Sequence, residues 1–339
     1  MSVSSNSWIK KWLWSGIVLI ILMMMVGAIT RLTGSGLSIV EWKVISGIIP
    51  PFTAEDWNLT FLKYKQFPQY QKLNHNFDVE DFKRIFWWEY IHRLLGRIVG
   101  LAFIIPFAVI VTRKHVPRWL KVRLVVILFA GICQGIMGWL MVKSGLVDMP
   151  HVNHFRLALH LSFAFGLIAL ILWLIFDLEH PPGPALKWKF TAALLPAFCL
   201  VVVVIQIILG VLVAGLKAGF SYNTFPMMEG RFFPDAINSQ ASFLYNGVAL
   251  QFIHRWFAWF ALACVVWLWI EYRRRSGALS SPASPVNLLL FVVIIQLVIG
   301  ILTLVLNVPI VLAVLHQMTA VLAFGLLLNL TYLAGYRLD

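Results

Sequence analysis

The chain has 339 residues, of which 60% are hydrophobic and only 12% are charged, and its mean hydropathy is +0.85. A soluble globular domain carries roughly twice that share of charged residues, so the composition excludes one and indicates an integral membrane protein. The net charge of +13 does not indicate nucleic-acid binding, because the basic residues lie mainly at the ends of apolar segments.

Eight segments are long and apolar enough to cross a membrane, for which a helix needs roughly 20 apolar residues. They lie at about residues 12–31, 91–112, 122–142, 154–176, 190–214, 250–271, 286–306 and 309–334. The last two are separated only by a predicted turn at Asn307, Val308 and Pro309. No small-residue cleavage site follows the first segment, so we expect it to be retained as a helix.

The basic residues predict the orientation of these spans. They flank alternate loops on a single side, namely at Lys10 and Lys11, 113–123, Lys187 and Lys189, 273–275, and Arg337. By the positive-inside rule this side faces the cytoplasm, and both termini are therefore predicted to be cytoplasmic. Lysines in the long first outer segment count little, because long loops cross the membrane largely regardless of charge.

The two halves of the chain repeat each other. Gly27, Gly36, Ser38 and Pro51 match Gly210, Gly219, Ser221 and Pro234 at an offset of 183. His92, Gln134 and Gly138 match His254, Gln296 and Gly300 at 162, and His160 matches His316 at 156. Because each half has an even number of spans, both halves enter the membrane in the same direction. The sequence therefore predicts an all-α integral membrane protein, with eight transmembrane helices as two tandem pseudo-symmetric four-helix bundles.

Three regions follow from this repeat. We predict an N-terminal four-helix bundle at 1–176, a cytoplasmic linker rich in proline at 177–189, and a C-terminal four-helix bundle at 190–339. The long outer loop of the first bundle, at about 32–88, contains several tryptophans, whereas its partner lies at about 215–249. We expect the first loop to lie on the membrane surface as short amphipathic pieces.

Four histidines lie within the apolar spans: His92, His160, His254 and His316. An imidazole in such a span is costly unless it has a partner. All four lie near the outer ends of alternate spans, so we expect one depth for all of them and one pair in each bundle. Zinc usually takes about four clustered ligands, whereas two facing imidazoles in a helical bundle hold a haem iron from both sides. The sequence therefore predicts two haem sites with these histidines as axial ligands.

Glu89 distinguishes the two predicted sites. It lies three residues before His92 and on nearly the same helix face, whereas Gln251 holds the matching position before His254. A carboxyl group there can carry a proton or stabilise positive charge on a substrate, and an amide of similar shape cannot. We therefore predict that the first site is catalytic through Glu89 and that the second is not. The alternative is a structural acid near a helix N-terminus.

Arg93 and Arg255 follow two of the predicted ligands. They are candidates for contacts with haem propionates, because a guanidinium group binds a carboxylate through two parallel hydrogen bonds. The alternative is that they extend to the membrane interface. Arg31 and Lys217, near the outer ends of spans one and five, are further candidates for the same role.

The remaining polar residues of the spans carry weaker predictions. Gln134 and Gln296 lie within spans and are expected to form interhelical hydrogen bonds. Cys133, Cys199 and Cys264 also lie within spans, where we expect small packing residues rather than a disulfide or a metal site. Five other histidines are expected to be solvated surface residues, at positions 75, 115, 151, 154 and 180, with contact to a haem edge as the alternative for His151 or His154.

Several of these motifs together resemble the haem A synthase family. The segment 27–38, GAITRLTGSGLS, resembles its first-span signature, and Glu-x-x-His-Arg at 89–93 and Gln-x-x-His-Arg at 251–255 resemble its histidine motifs, together with His160 and His316. The resemblance covers nearly the whole chain. Some members of the family carry a cysteine pair in the outer loops, and this chain, which has none there, resembles the cysteine-free branch.

The resemblance implies a membrane haem-dependent oxidoreductase that oxidises the C8 methyl group of haem O to a formyl group by successive hydroxylations, giving haem A for cytochrome oxidase. It implies that His92 and His160 hold the substrate haem O, with Glu89 required for catalysis. His254 and His316 are then expected to hold a haem b that transfers electrons.

The resemblance also implies partners and a location. The implied partners are a haem O synthase, cytochrome oxidase assembly proteins, and an electron donor that the sequence does not identify; a homo-oligomer is left open. Membrane lipids are expected around the spans, and no nucleic acid is expected as a partner. The short N-terminus has no arginine-rich transit segment, so we expect a bacterial cytoplasmic (inner) membrane.

Three other functions compete with this one. A diheme b-type electron carrier also uses histidine pairs in helical bundles, but it usually places haems near both membrane faces. A non-catalytic haem carrier or assembly factor has no need of Glu89. A secondary transporter would have inverted repeats and broken helices, and neither is evident.

Overall fold

The computed structural model describes residues 3–42, 46–114, 116–147, 149–180, 188–238, 242–276 and 284–336. These residues form helices joined by loops and short 3₁₀ turns, with no β-strand among them. Eight of the described helices are long and apolar enough to cross a membrane. This confirms the predicted all-α class and the number of spans. Residues 181–187 of the predicted linker, and His115, lie outside the described residues.

The helices that could cross a membrane carry most of the chain. They are α1 (Val3–Leu32), α4 (Val79–Thr112), α5 (Arg118–Ser144), α6 (His154–Glu179), α7 (Phe190–Gly215), α8 (Gly247–Ser276), α9 (Pro285–Val305) and α10 (Ile310–Tyr336). Two shorter helices, α2 (Ala54–Lys65) and α3 (Pro68–Lys72), lie in the first outer segment. They bear out the prediction of short helical pieces there, and their position at the membrane surface stays a prediction.

Helix α4 begins well before the predicted span. Its first residue is Val79 rather than residue 91, because the Asp78 carboxylate accepts a hydrogen bond from the backbone N–H of Asp81 and caps the helix. The additional turns bury Phe82 and Phe86 against Trp57 of α2. The aromatic core of the outer segment therefore holds α2 on the extension of the α4 helix.

The turn between α9 and α10 is built as predicted. Asn307 and Val308 have φ angles of 59° and 57°, in the left-handed region that asparagine tolerates and valine rarely adopts. Pro309 directly precedes α10, and its carbonyl oxygen accepts a hydrogen bond from the backbone N–H of Ala313. These three residues reverse the chain within one short loop.

Contacts divide the chain into two compact units, Met1–Ile168 and Ala169–Asp339. In the first unit, α4 packs against α1 and α5. In the second, α7 and α9 each pack against both α8 and α10, which closes a ring of four helices around an apolar core. The division falls inside α6. The predicted domain limits and the pseudo-symmetry of the two bundles stay predictions.

Candidate functional site

The first histidine pair lies in the unit Met1–Ile168. His92 projects from α4 onto Gly27 of α1, so closely that a Cβ atom on Gly27 would lie 2.9 Å from the imidazole Cε1. His160 projects from α6 onto Gly138 of α5, where the same distance would be 3.0 Å. The Nδ1 atom of each imidazole is buried without a hydrogen-bond partner among the described residues.

The second pair has the same construction in the unit Ala169–Asp339. His254 lies against Gly210 and His316 against Gly300, each with a distance of 2.8 Å from a Cβ on the glycine to Cε1. The ring centroids are 6.4 Å apart and the ring planes are at 87° to each other. Both Nδ1 atoms are again buried without a hydrogen-bond partner in the part of the chain that the structure describes.

These pairs suit axial ligation of haem better than a clustered metal site. Within the described ranges, no group of three or more His, Cys, Asp or Glu side chains is placed to hold a metal ion. Two imidazoles on opposite sides of one metal ion have centroids roughly 6 Å apart, since a metal–imidazole bond is about 2.0 Å long. The separation of His254 and His316 meets this requirement. Each pair offers two imidazoles whose buried Nδ1 atoms have no partner among the described residues, which fits ligands of a haem iron.

Glu89 lies at the centre of a buried hydrogen-bond network. Its side chain is 3% exposed, and Oε1 accepts from Nε and Nη2 of Arg93 at 3.0 and 2.6 Å. Its Oε2 accepts from the Ser38 hydroxyl and from the backbone N–H of Ile39, both at 2.8 Å. Because all of these partners donate, the carboxylate is held as an oriented negative charge one helical turn from His92. The network also fastens the chain after α1 onto α4.

The matching position in the second unit uses the opposite polarity. Gln251 donates through Nε2 to the carbonyl oxygen of Tyr222 at 3.1 Å. Arg255 donates to the carbonyl oxygens of Tyr222 and Thr224. Since Tyr222 is the repeat partner of Ile39, the outer segment presents an N–H group to the acid in one unit and a carbonyl group to the amide in the other. The backbone group that each residue contacts therefore suits its side chain: an N–H group faces the carboxylate of Glu89, and a carbonyl group faces the amide Nε2 of Gln251.

The two arginines are anchored to protein groups. Arg93 donates to Glu89 and, through Nη1 and Nη2, to the carbonyl oxygens of Glu41 and Ile39 at 3.1 and 2.7 Å. Its guanidinium carbon also lies 5.1 Å from the ring centroid of Trp42. Contacts of Arg93 and Arg255 with haem propionates stay a prediction. Of the two further candidates, Lys217 is exposed and Arg31 is partly buried.

The glutamines and cysteines follow the sequence predictions in part. Gln296 on α9 accepts a hydrogen bond from Thr319 on α10, which confirms an interhelical bond. The Oε1 atom of Gln134, in contrast, is buried and has no partner among the described residues, so that prediction is not met at this atom. Cys199 and Cys264 are buried packing residues, and all three cysteines are free thiols, as predicted.

The remaining histidines were predicted to be exposed, and the structure agrees in part. His75 and His151 are exposed, as expected, and His180 is partly buried. The prediction for His154 was wrong: it is only 6% exposed, because α6 begins at this residue and its ring lies 4.1 Å from that of Phe155.

Two parts of the site were not predicted. The glycines and Ser38 match across the repeat but were assigned no role, although a matched glycine in an apolar helix is a signal of close approach. The hydrogen bond from the Ile39 backbone has no sequence signal, because every residue except proline carries a backbone N–H.

Comparison with known proteins identifies the family. A family model described as cytochrome oxidase assembly protein matches residues 10–328. The chain belongs to this COX15-CtaA family. Among relatives of the chain, a protein of Nitrosospira multiformis named haem A synthase is 44% identical over 92% of this chain and 89% of its own length. A haem A synthase of Flavobacterium psychrophilum is 40% identical over 97% and 98%, and one of Wolbachia pipientis is 41% identical over 93% and 89%.

Proposed function

We propose that this protein is a haem A synthase, a membrane oxidoreductase that converts the C8 methyl group of haem O to a formyl group in the assembly of cytochrome oxidase. Family membership and relatives of this name along nearly the whole chain support the proposal. The observation that carries it within the molecule is the presence of two buried histidine pairs of one construction, with a carboxylate beside only one of them.

The asymmetry supports the assignment of the two sites. In this assignment the N-terminal bundle holds the substrate haem O between His92 and His160, and the C-terminal bundle holds a haem b between His254 and His316. Bound haem b supplies one-electron transfer. Both pairs lie in apolar surroundings that suit a porphyrin, and a farnesylated haem is expected to enter from the bilayer. A diheme electron carrier would have no use for the difference between Glu89 and Gln251.

Glu89 is the proposed catalytic residue. Its carboxylate is oriented by Arg93, Ser38 and the Ile39 backbone, so no reorganisation is needed when positive charge develops on the neighbouring substrate. An oriented charge in a site that excludes water stabilises such a transition state far more than the same charge in water. Gln251 has a similar shape and no charge, and the second site is accordingly proposed to be non-catalytic.

The location and the partners complete the proposal. The chain is a multi-pass membrane protein by its eight apolar helices, and its bacterial relatives favour a bacterial inner membrane. We infer cytoplasmic termini from the basic residues that flank the spans. A haem O synthase must supply the substrate, cytochrome oxidase assembly proteins would receive the product, and an electron donor must serve the haem b.

Variants in cells that supply haem O and lack other haem A synthases test the proposal. We expect Glu89→Gln and His92→Ala to abolish or strongly reduce haem A, measured by pigment extraction and mass spectrometry. Gln251→Ala is the matched control and should retain most of the activity, since it changes the same position in the other unit. Full haem A formation by Glu89→Gln and His92→Ala would show that the assigned active site is wrong. An equal loss in Gln251→Ala would reduce Glu89 to a structural role.

A further inference from the structure

One glycine lies directly beneath each of the four intramembrane imidazoles. The pairs are Gly27 and His92, Gly138 and His160, Gly210 and His254, and Gly300 and His316. In every pair the two residues lie on different helices, and a Cβ on the glycine would approach Cε1 to between 2.8 and 3.0 Å. This is well inside the carbon–carbon contact distance of about 3.5–4.0 Å. An alanine would therefore displace the ring or separate the helices.

Several other glycines of these helices have no such contact. At Gly16 of α1, Gly100 of α4, and Gly131 and Gly135 of α5, an added Cβ would meet no atom within 4 Å. Glycine is unfavourable inside a helix when nothing requires it. The four glycines beneath imidazoles therefore have a requirement that Gly135, one turn from Gly138, does not have.

The close approach also places each ring beside one turn of the neighbouring helix. The residues four positions before the glycines are Met23, Gln134, Gln206 and Gln296, so their carbonyl groups are on the adjoining turn. The Nδ1 atom of each ring has no hydrogen-bond partner among the described residues and is free to take one. A histidine that ligates a metal usually donates its other ring N–H to such a carbonyl or to a carboxylate, which fixes the tautomer and the ring orientation.

We propose that Gly27, Gly138, Gly210 and Gly300 are positioning residues that set the orientation of the four imidazoles as ligands of an iron porphyrin. This inference rests on the proposed function, since it takes haem to be the group between each pair. Both histidine pairs have these glycines, whereas only the first pair has a neighbouring acid, Glu89. The glycines therefore act in haem binding rather than in the oxidation of the substrate. Each lets the Cε1 edge of its imidazole approach the neighbouring helix more closely than a Cβ atom would allow.

Haem titration of the purified full-length protein tests this role. The variants are Gly138→Ala and Gly300→Ala, with Gly135→Ala as the control, and the probe is hemin added to protein stripped of bound haem. We expect each of the first two variants to bind hemin at its own site at least tenfold more weakly, or to lose the low-spin bis-imidazole absorption and electron paramagnetic resonance signals of that site. Gly135→Ala should match the wild type in both readouts. Equal behaviour of Gly138→Ala and Gly135→Ala would overturn the proposal.

A double-mutant cycle separates ring contact from general misfolding. If the Cβ of Gly300→Ala strains the protein by meeting the His316 ring, combining it with His316→Ala should remove the strain and restore the thermal midpoint of the haem-free protein to that of His316→Ala alone. A double variant that unfolds as early as Gly300→Ala would refute the ring contact as the cause. If the wild type binds no hemin, or if His254→Ala leaves the total intensity of the low-spin signals undiminished, the haem assignment itself fails, and the cycle still reports on the contact.

Discussion

The Ser38→Ala variant tests how the Glu89 network holds the outer segment. The Ser38 hydroxyl is buried and donates to Oε2 of Glu89 at 2.8 Å, next to the Ile39 N–H group that binds the same oxygen. A hydrogen bond to a charged group contributes about 1.5–3 kcal/mol to stability. Every 1.4 kcal/mol changes an equilibrium about tenfold, so the segment should open roughly ten to a hundred times more often without this bond.

Hydrogen exchange followed by mass spectrometry on the purified protein measures this opening directly. The reporter is the peptide that contains the Ile39 amide, whose exchange should accelerate by roughly the factor given by the lost bond. Ser221→Ala is the control, because Ser221 holds the matching position in the second unit and is exposed. An unchanged Ile39 peptide in Ser38→Ala, or an equal acceleration of this peptide in Ser221→Ala, would refute the reasoning.

Three further variants probe the remaining polar contacts. Tyr64→Phe leaves the buried Gln69 Oε1 without its donor, so the thermal midpoint should fall by an amount equivalent to about 1–3 kcal/mol; an unchanged midpoint would contradict this. Asn223→Ala removes the hydrogen bonds to the carbonyl oxygens of Gly219 and of Leu304, which is near the end of α9, and should accelerate amide exchange at 219–224 without affecting 35–41. Hydrogen bonds from Thr53 lower the pKa of Asp56. The ionised Asp56 should therefore protect the backbone amides at the start of α2 from hydrogen exchange above about pH 4, and this protection should disappear as the pH falls below that value. Thr53→Ala should reduce the pH dependence of amide exchange, after correction for the intrinsic rate, and an unchanged dependence would contradict the assigned cause.

The number and order of the spans could be predicted because hydropathy over roughly 20 residues is a strong signal. The limits of the helices could not be predicted to the same accuracy. Helix α4 begins at Val79 because Asp78 caps it and Phe82 packs on α2, and these tertiary contacts lie in a stretch that is too polar to register as a span. Burial of His154 at the start of α6 was missed for a similar reason.

The candidate site could also be predicted only in part. The histidine pairs and the difference between Glu89 and Gln251 were predicted from the repeat, because the sequence specifies the chemistry of each side chain. The partners of Glu89 were not readable, since one is the Ile39 backbone and another, Ser38, is 51 positions away in the chain. The glycines beneath the imidazoles were matched across the repeat, but only the packing of neighbouring helices shows what they contact.

Identification of the bound haems tests the central claim most directly. Pigments extracted from the purified protein are separated and identified by mass. The proposed function predicts haem B together with haem O, or with a hydroxylated or formyl product of haem O. Haem B alone, filling both sites, would contradict it and would favour a diheme electron carrier.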